Sequence, residues 1–157
     1  MNEKYTPEFI KNIAENIGCG LVCFVNPETI EVIEIPKEFL EQNEYCEEDF
    51  YQADLDRIDH EWGRFIRIEP PEPFESFKFM ERFTSDEIQD QPMQGKLINA
   101  LSHGKPFRNF KNIVESSEFR QQWFDFHQLC LEEYVRDRLS IDEWLEEAEE
   151  EIEEEES

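Results

Sequence analysis

Residues 91–114 hold four bases, Lys96, Lys105, Arg108 and Lys111, and no acid, in a 157-residue chain with 40 Asp and Glu against 15 Lys and Arg. The tip of this window reads GKPFRNFK, residues 104–111. A helix is predicted from Pro106, because proline at the first helical position gives up an N–H that would have no partner there. On that helix Arg108 and Lys111 are three apart and share a face, while Phe107 and Phe110 share the next one and are expected inward. Lys105, Arg108 and Lys111, with His103, then lie outward beside a helix N-terminus, whose free N–H groups and dipole favour anions. The chemistry this permits is recognition of a small anion or of an acidic protein segment. The same bases could instead compensate acidic surface or the acidic tail of their own chain. A third reading, stacking and phosphate contact with single-stranded nucleic acid, needs exposed phenyl rings and is opposed by the net charge of -25.

Catalytic constellations are sparse. His60-Glu61 opens a zinc-protease pattern, but Arg64 stands where the second histidine belongs. His60, His103 and His127 are scattered, and the 5 glycines form neither a phosphate loop nor a Gly-x-Ser-x-Gly elbow. Cys19 and Cys23 have no second pair and no nearby histidine to complete a tetrahedral set, so they read as small buried strand residues on one face. Neither a metal nor a cofactor is expected. With Cys46 and Cys130, these cysteines fit reduced thiols. The expected function is non-enzymatic binding through residues 103–111. A small hydrolase or nucleotide-handling enzyme with a cleft between sheet and helices is the alternative. The tail from Glu146 to Ser157, part of a stretch (142–157) with 11 acids and no base, allows another: an acidic mimic of nucleic acid that binds a basic protein. The plainer reading of that run is a solvated end.

The elements that must position these residues follow from pattern. Thr6-Pro7 opens a helix to about residue 17, with Phe9, Ile10, Ile13 and Ile17 on one side. LVCFV (21–25) and IEVIEI (30–35) read as strands joined by the turn Asn26-Pro27-Glu28-Thr29, and a phase slip in the second hints at a bulge or two-sided burial. A helix is expected around 48–58 and a third strand at 63–68, stopped by PPEP at 70–73. Pro73 starts a helix with Phe74, Phe77, Met80 and Phe83 on its apolar face. Pro92 to about Ser102 forms another, with Leu97, Ile98 and Leu101 inward. Gly104 is expected to supply a left-handed cap before the helix at Pro106. Ser117 then caps a long helix to about Leu139, striped by Phe119, Trp123, Phe126, Cys130 and Tyr134. Ser140 and Glu143 form a capping box for a last helix anchored by Ile141, Trp144 and Leu145.

These elements make an α+β fold: a small antiparallel sheet of about three strands in the first half, four or five helices, and a helical second half. One α+β domain over 1–145 is expected, with a possible joint near 70–73 and an acidic tail at 146–157. At 13% aromatic residues, 14 of them Phe, the chain is too aromatic for disorder despite its charge. The acidity argues against nucleic-acid backbones and anionic membranes as partners. No apolar run approaches the ~20 residues of a membrane span, and no secretory signal is visible, so a cytoplasmic location is expected.

The stretches FIRIEPPEPFESFKFMERF (65–83), LINALSHGKPFRNFKNIV (97–114) and FRQQWFDFHQLCLEEYVRDRLSIDEWL (119–145) resemble Uncharacterised Protein Family 0158 of bacteria. There a strand leads into a helix, a helix of the ALxGKGAFRRFKD kind follows, and then one with an aromatic WFxF core and a terminal WL. The resemblance spans about 62–145, with an echo of the hairpin at 20–35. The Gly-x-x-Phe-Arg-x-Phe-Lys core falls on Gly104, Phe107, Arg108, Phe110 and Lys111. Pro106 stands where small residues are usual, and Asn112 where an acid is. The resemblance implies no activity; it implies that the basic, aromatic turn belongs to the family's design.

Overall fold

The structure, a computed structural model, describes residues 4–41 and 51–156. It is α+β, with a three-stranded antiparallel sheet in the first half and a helical second half. The chain divides into two compact units, Met1–Pro70 with Leu131–Ser157, and Pro71–Cys130.

The first unit opens with α1 (Pro7–Gly18), whose Thr6 cap accepts a hydrogen bond from the Phe9 N–H at 3.1 Å. Ile10, Ile13, Ala14 and Ile17 are its buried side. β1 (Leu21–Val25) lies between β2 (Val32–Pro36) and β3 (Ile66–Ile68). A central strand is covered on both faces, which is why LVCFV is apolar throughout and buried from Val22 on. Val22 and Phe24 pair with Ile35 and Ile33, and this face packs with Ile58 of α3 (Gln52–His60) and with Trp62. Phe39 and Leu40 of α2 (Lys37–Glu41) lie at the margin of that cluster. Cys23 and Val25 pair with Ile68 and Ile66 on the opposite face.

Several expectations change here. β2 begins at Val32, and its pairing with β1 has no bulge. The phase slip arises because Ile30 belongs to the turn, with φ 65°, in a loop tied by the Asn26 side chain, which accepts from the Glu28 N–H at 2.9 Å. β3 starts at Ile66, since Gly63–Phe65 form no ladder. Cys19 is not beside Cys23 on a strand face: it is exposed at the C-cap of α1, while Cys23 is buried. Cys46 and the expected start of a helix near 48 lie outside the described residues.

The Ser140 capping box does not form either. The last helix, α7 (Arg120–Glu156), runs through that position unbroken, and Ile141, Trp144 and Leu145 are exposed instead of anchored. The reason is a clamp. Arg64 Nη2 lies 2.6 Å from both carboxylate oxygens of Asp142, and Nη1 lies 3.1 Å from Glu146. Asp142 and Glu146 are four apart on one helix face, so one guanidinium staples the turn in which a break would fall. Leu131, Val135 and Leu139 of α7 are buried in this unit.

The second unit is helical: α4 (Pro73–Arg82), a π-helical turn (Phe83–Glu87), α5 (Gln91–Leu101), α6 (Pro106–Glu115) and the opening of α7. Its centre is aromatic. Phe83 and Phe110 are fully buried, and Trp123 sits with ring centroids 5.2 Å from Phe83 and 4.9 Å from Phe110 in edge-to-face contact. The π-turn is held by Thr84 Oγ1, which donates to the Met80 carbonyl at 2.8 Å, and by Gln94 Nε2, which donates to the Thr84 carbonyl at 2.9 Å. Phe74 and Ile98, expected inward, are exposed. Asp90, one residue before the helix, accepts from the Met93 N–H and starts α5 at Gln91. Ser117 bonds the Val114 carbonyl and the Phe119 N–H, and α7 starts three residues later than expected. The left-handed residue before α6 is Lys105 (φ 58°, ψ 52°), not Gly104. The turn is set there because Asn109 Nδ2 donates to the Gly104 carbonyl at 2.9 Å, which fixes the peptide just ahead of Pro106.

Candidate functional site

The basic window forms the α5–α6 turn and α6 of the second unit. Lys105, Arg108, Lys111 and His103 are all exposed. None of the four makes an ion pair within the described residues, although the chain is acidic. His103 is anchored: its Nδ1 donates to the Asn99 carbonyl at 2.6 Å, which leaves Nε2 facing outward. Lys105 sits at the N-cap and Arg108 on the outer face of α6.

Lys111 differs from the other three because it opens onto a groove of about 460 Å³. On α6, Phe107, Lys111 and Glu115 recur every four residues and form one wall. Ser76 and Met80 of α4 form the second, with Pro71 and Pro73 ahead of them, and Trp123, Phe124 and His127 of α7 form the third. Phe107 is half-buried and meets Phe77 edge-on at 6.3 Å, so of the two phenyl rings expected inward only Phe110 is fully buried. The His127 ring lies 5.2 Å from Trp123 and 6.1 Å from Phe79. Burial, and then the charge of Lys111, hold its pKa below the ordinary 6.5, so it is a neutral imidazole at pH 7. The Arg120 guanidinium sits 5.1 Å from the ring centroid of Phe124, one of the lining residues.

This is an apolar aromatic groove with one lining cation, Lys111, and one lining carboxylate, Glu115. Its volume falls within the range of small-ligand and side-chain pockets. No group of three His, Cys, Asp or Glu among the described residues could hold a metal ion. His60 and His103, the histidines a hydrolytic cleft would have used, do not line it; His127 does. Sequence reasoning passed over His127 and Arg120. The available signal was the four-residue step from Trp123 to His127 and from Arg120 to Phe124, each on the face beside the predicted stripe.

Fold and groove together describe an α+β protein whose helical unit carries an aromatic groove bordered by Lys111. The family model described as "Uncharacterised protein family (UPF0158)" matches residues 38–157, and the chain belongs to that family. The match starts after the hairpin at 20–35 and extends past the stretches quoted above at both ends. A curated UPF0158 protein of Pseudomonas aeruginosa is 30% identical over 83 residues, 52% of this chain and 54% of that relative. The chain thus spans about half the length of the curated relative it matches. No solved structure matches. Among the described residues, no helix is long and apolar enough to cross a membrane.

Proposed function

We propose that this protein is a binding module for an acidic protein segment, taken up by the basic surface at 103–111 and by the groove that Lys111 shares with Phe107, Trp123, Phe124 and His127. One observation carries the reading: Lys105, Arg108 and Lys111 are exposed and make no ion pair among the described residues of an acidic chain, and one of them borders an aromatic groove. Free cations offer charge-assisted contacts to carboxylates, and the groove offers burial to an apolar side chain between them. Such a surface selects an acidic segment with an aromatic or aliphatic anchor over a bare anion.

The test uses a fluorescein-labelled peptide of glutamates around one tryptophan, with inorganic phosphate as the small-anion control. Expected is binding with a Kd of about 1–100 µM, weakened by salt and lost when Arg108 and Lys111 are both changed to Glu. The melting temperature of that variant stays unchanged, because neither side chain has an ion-pair partner to lose among the described residues. Absence of salt-sensitive binding, or equal binding by the double variant, overturns the proposal.

A further inference from the structure

We propose that the acidic segment received by this groove is the C-terminal part of α7 from a second copy of the chain. This inference rests on the groove being a site for an acidic, anchor-bearing segment. Beyond Leu139, α7 leaves Ile141, Trp144, Leu145 and Ile152 exposed at 50%, 65%, 48% and 56%. With Ala148 these positions follow helical spacing and form one apolar face. Around that face stand the carboxylates of 142–157, a stretch with 11 acids and no base. The element therefore has the composition the groove selects: an aromatic anchor within an acidic frame.

Charge decides the occupant. Two such helices packed stripe to stripe would bring together two stretches of 11 acids and no base, in each of which Arg64 engages Asp142 and Glu146. The groove is bordered by Lys111, with Lys105 and Arg108 exposed on the same helix or its cap, and has Glu115 as its one lining carboxylate. Trp144 is the residue to fill it, since a buried indole is a common hot-spot anchor and the groove walls are aromatic. Each copy carries both surfaces, so exchange between two copies makes the same contact twice.

The experiment measures the sedimentation of the full chain and the binding of a labelled 139–156 peptide to it. Expected is a concentration-dependent dimer below about 100 µM that dissociates as salt is raised. Trp144→Ala alone and Lys111→Glu alone each weaken it by about tenfold or more, and both leave the circular dichroism spectrum unchanged, because both side chains are exposed. Mixing the two variants restores association between them, since one intact groove then meets one intact helix. A chain that stays monomeric, with no 139–156 binding, overturns the inference. If the glutamate–tryptophan peptide still binds in a Lys111-dependent way, only the identity of the partner falls; if that peptide also fails, the reading of the groove falls with it.

Discussion

Replacing Arg64 with Ala should loosen α7 beyond Leu139 and leave the rest of the first unit folded. The Arg64 side chain is about a third exposed, and it contacts Asp142 at 2.6 Å and Glu146 at 3.1 Å. Ion pairs this open contribute roughly 0.2–1 kcal/mol each, with the forked contact to Asp142 toward the upper end, so the clamp contributes about 1–2 kcal/mol. The helix it holds is weak by itself. Glu143–Glu147, Glu146–Glu150 and Glu147–Glu151 are like-charge pairs four apart, each costing about 0.2–0.5 kcal/mol, and carboxylates near a helix C-terminus oppose its dipole. The local field is already negative: burial, then the charges of Asp142 and Glu143, push the Tyr5 phenol up to about 12 even with Arg64 beside it. These penalties are close in size to the clamp, so its loss lets Ser140 compete as a cap. Hydrogen exchange read by mass spectrometry should show the amides of 141–150 losing protection by about 5–30-fold, the equivalent of 1–2 kcal/mol, while α1 and β1 keep theirs. Unchanged exchange in 141–150 would show that the clamp does not override the capping box. A loss that also reaches β1 would show that Arg64 supports the core instead, and would refute the same reasoning.

Phe110→Ala removes a fully buried ring from contact with Phe83 and Trp123 and should cost about 3–5 kcal/mol, read as a fall in the urea midpoint by tryptophan fluorescence; a loss below about 1 kcal/mol would contradict the packing. His127 has a folded pKa held below 6.5 by burial and by Lys111. The unfolded chain therefore takes up the proton first, so the stability tied to this residue is complete above pH 6.5 and is lost as pH falls through the lower folded value. His127→Gln should flatten the fall in melting temperature below pH 6.5, and an identical pH profile would contradict the burial. Cys23 is pushed up to about 12 by burial, with Glu34 adding to the effect, whereas Cys19 is exposed. Iodoacetamide at pH 8, followed peptide by peptide, should therefore modify Cys19 at least about tenfold faster than Cys23, and equal rates would contradict the assignment.

Elements bounded by local chemistry were legible in the sequence. Thr6-Pro7, Pro73 and Pro106 mark helix starts through caps and a missing N–H, and these starts are where the helices begin. LVCFV announces a central strand because burial on two faces leaves no polar position. What pattern alone could not supply were boundaries set by distant partners. Ser140 and Glu143 have the residues of a capping box, yet Arg64, 78 residues away from Asp142 in sequence, holds the helix through it. Ile30 alternates as if in a strand, but its N–H donates to the Asn26 carbonyl at 2.8 Å in a turn that the Asn26 side chain ties at Glu28. Of the basic residues, outward placement was legible from the phenyl rings beside them. The groove was not, because it needs Ser76, Phe107, Lys111 and His127 from three helices, and helical spacing reports only neighbours within one.

A net charge of -25 does not forbid a site for acidic segments. At physiological salt, fields decay over about 8 Å, so equilibrium affinity follows the charges bordering the groove, while the distant acids act on the rate of encounter. The charged residues lining the groove are Lys111 and, one helical turn beyond it, Glu115. On the proposed reading Glu115 is a selective element. It offsets part of the attraction that any phosphate or isolated carboxylate would feel, and leaves binding dependent on burying a side chain among Phe107, Trp123 and Phe124. His127 works in the same direction, because a neutral imidazole adds no charge at pH 7 and leaves that part of the wall apolar. On the proposed reading, discrimination in this groove comes from coupling weak, screened attraction to apolar burial, so that neither a bare anion nor an uncharged hydrophobic segment engages both.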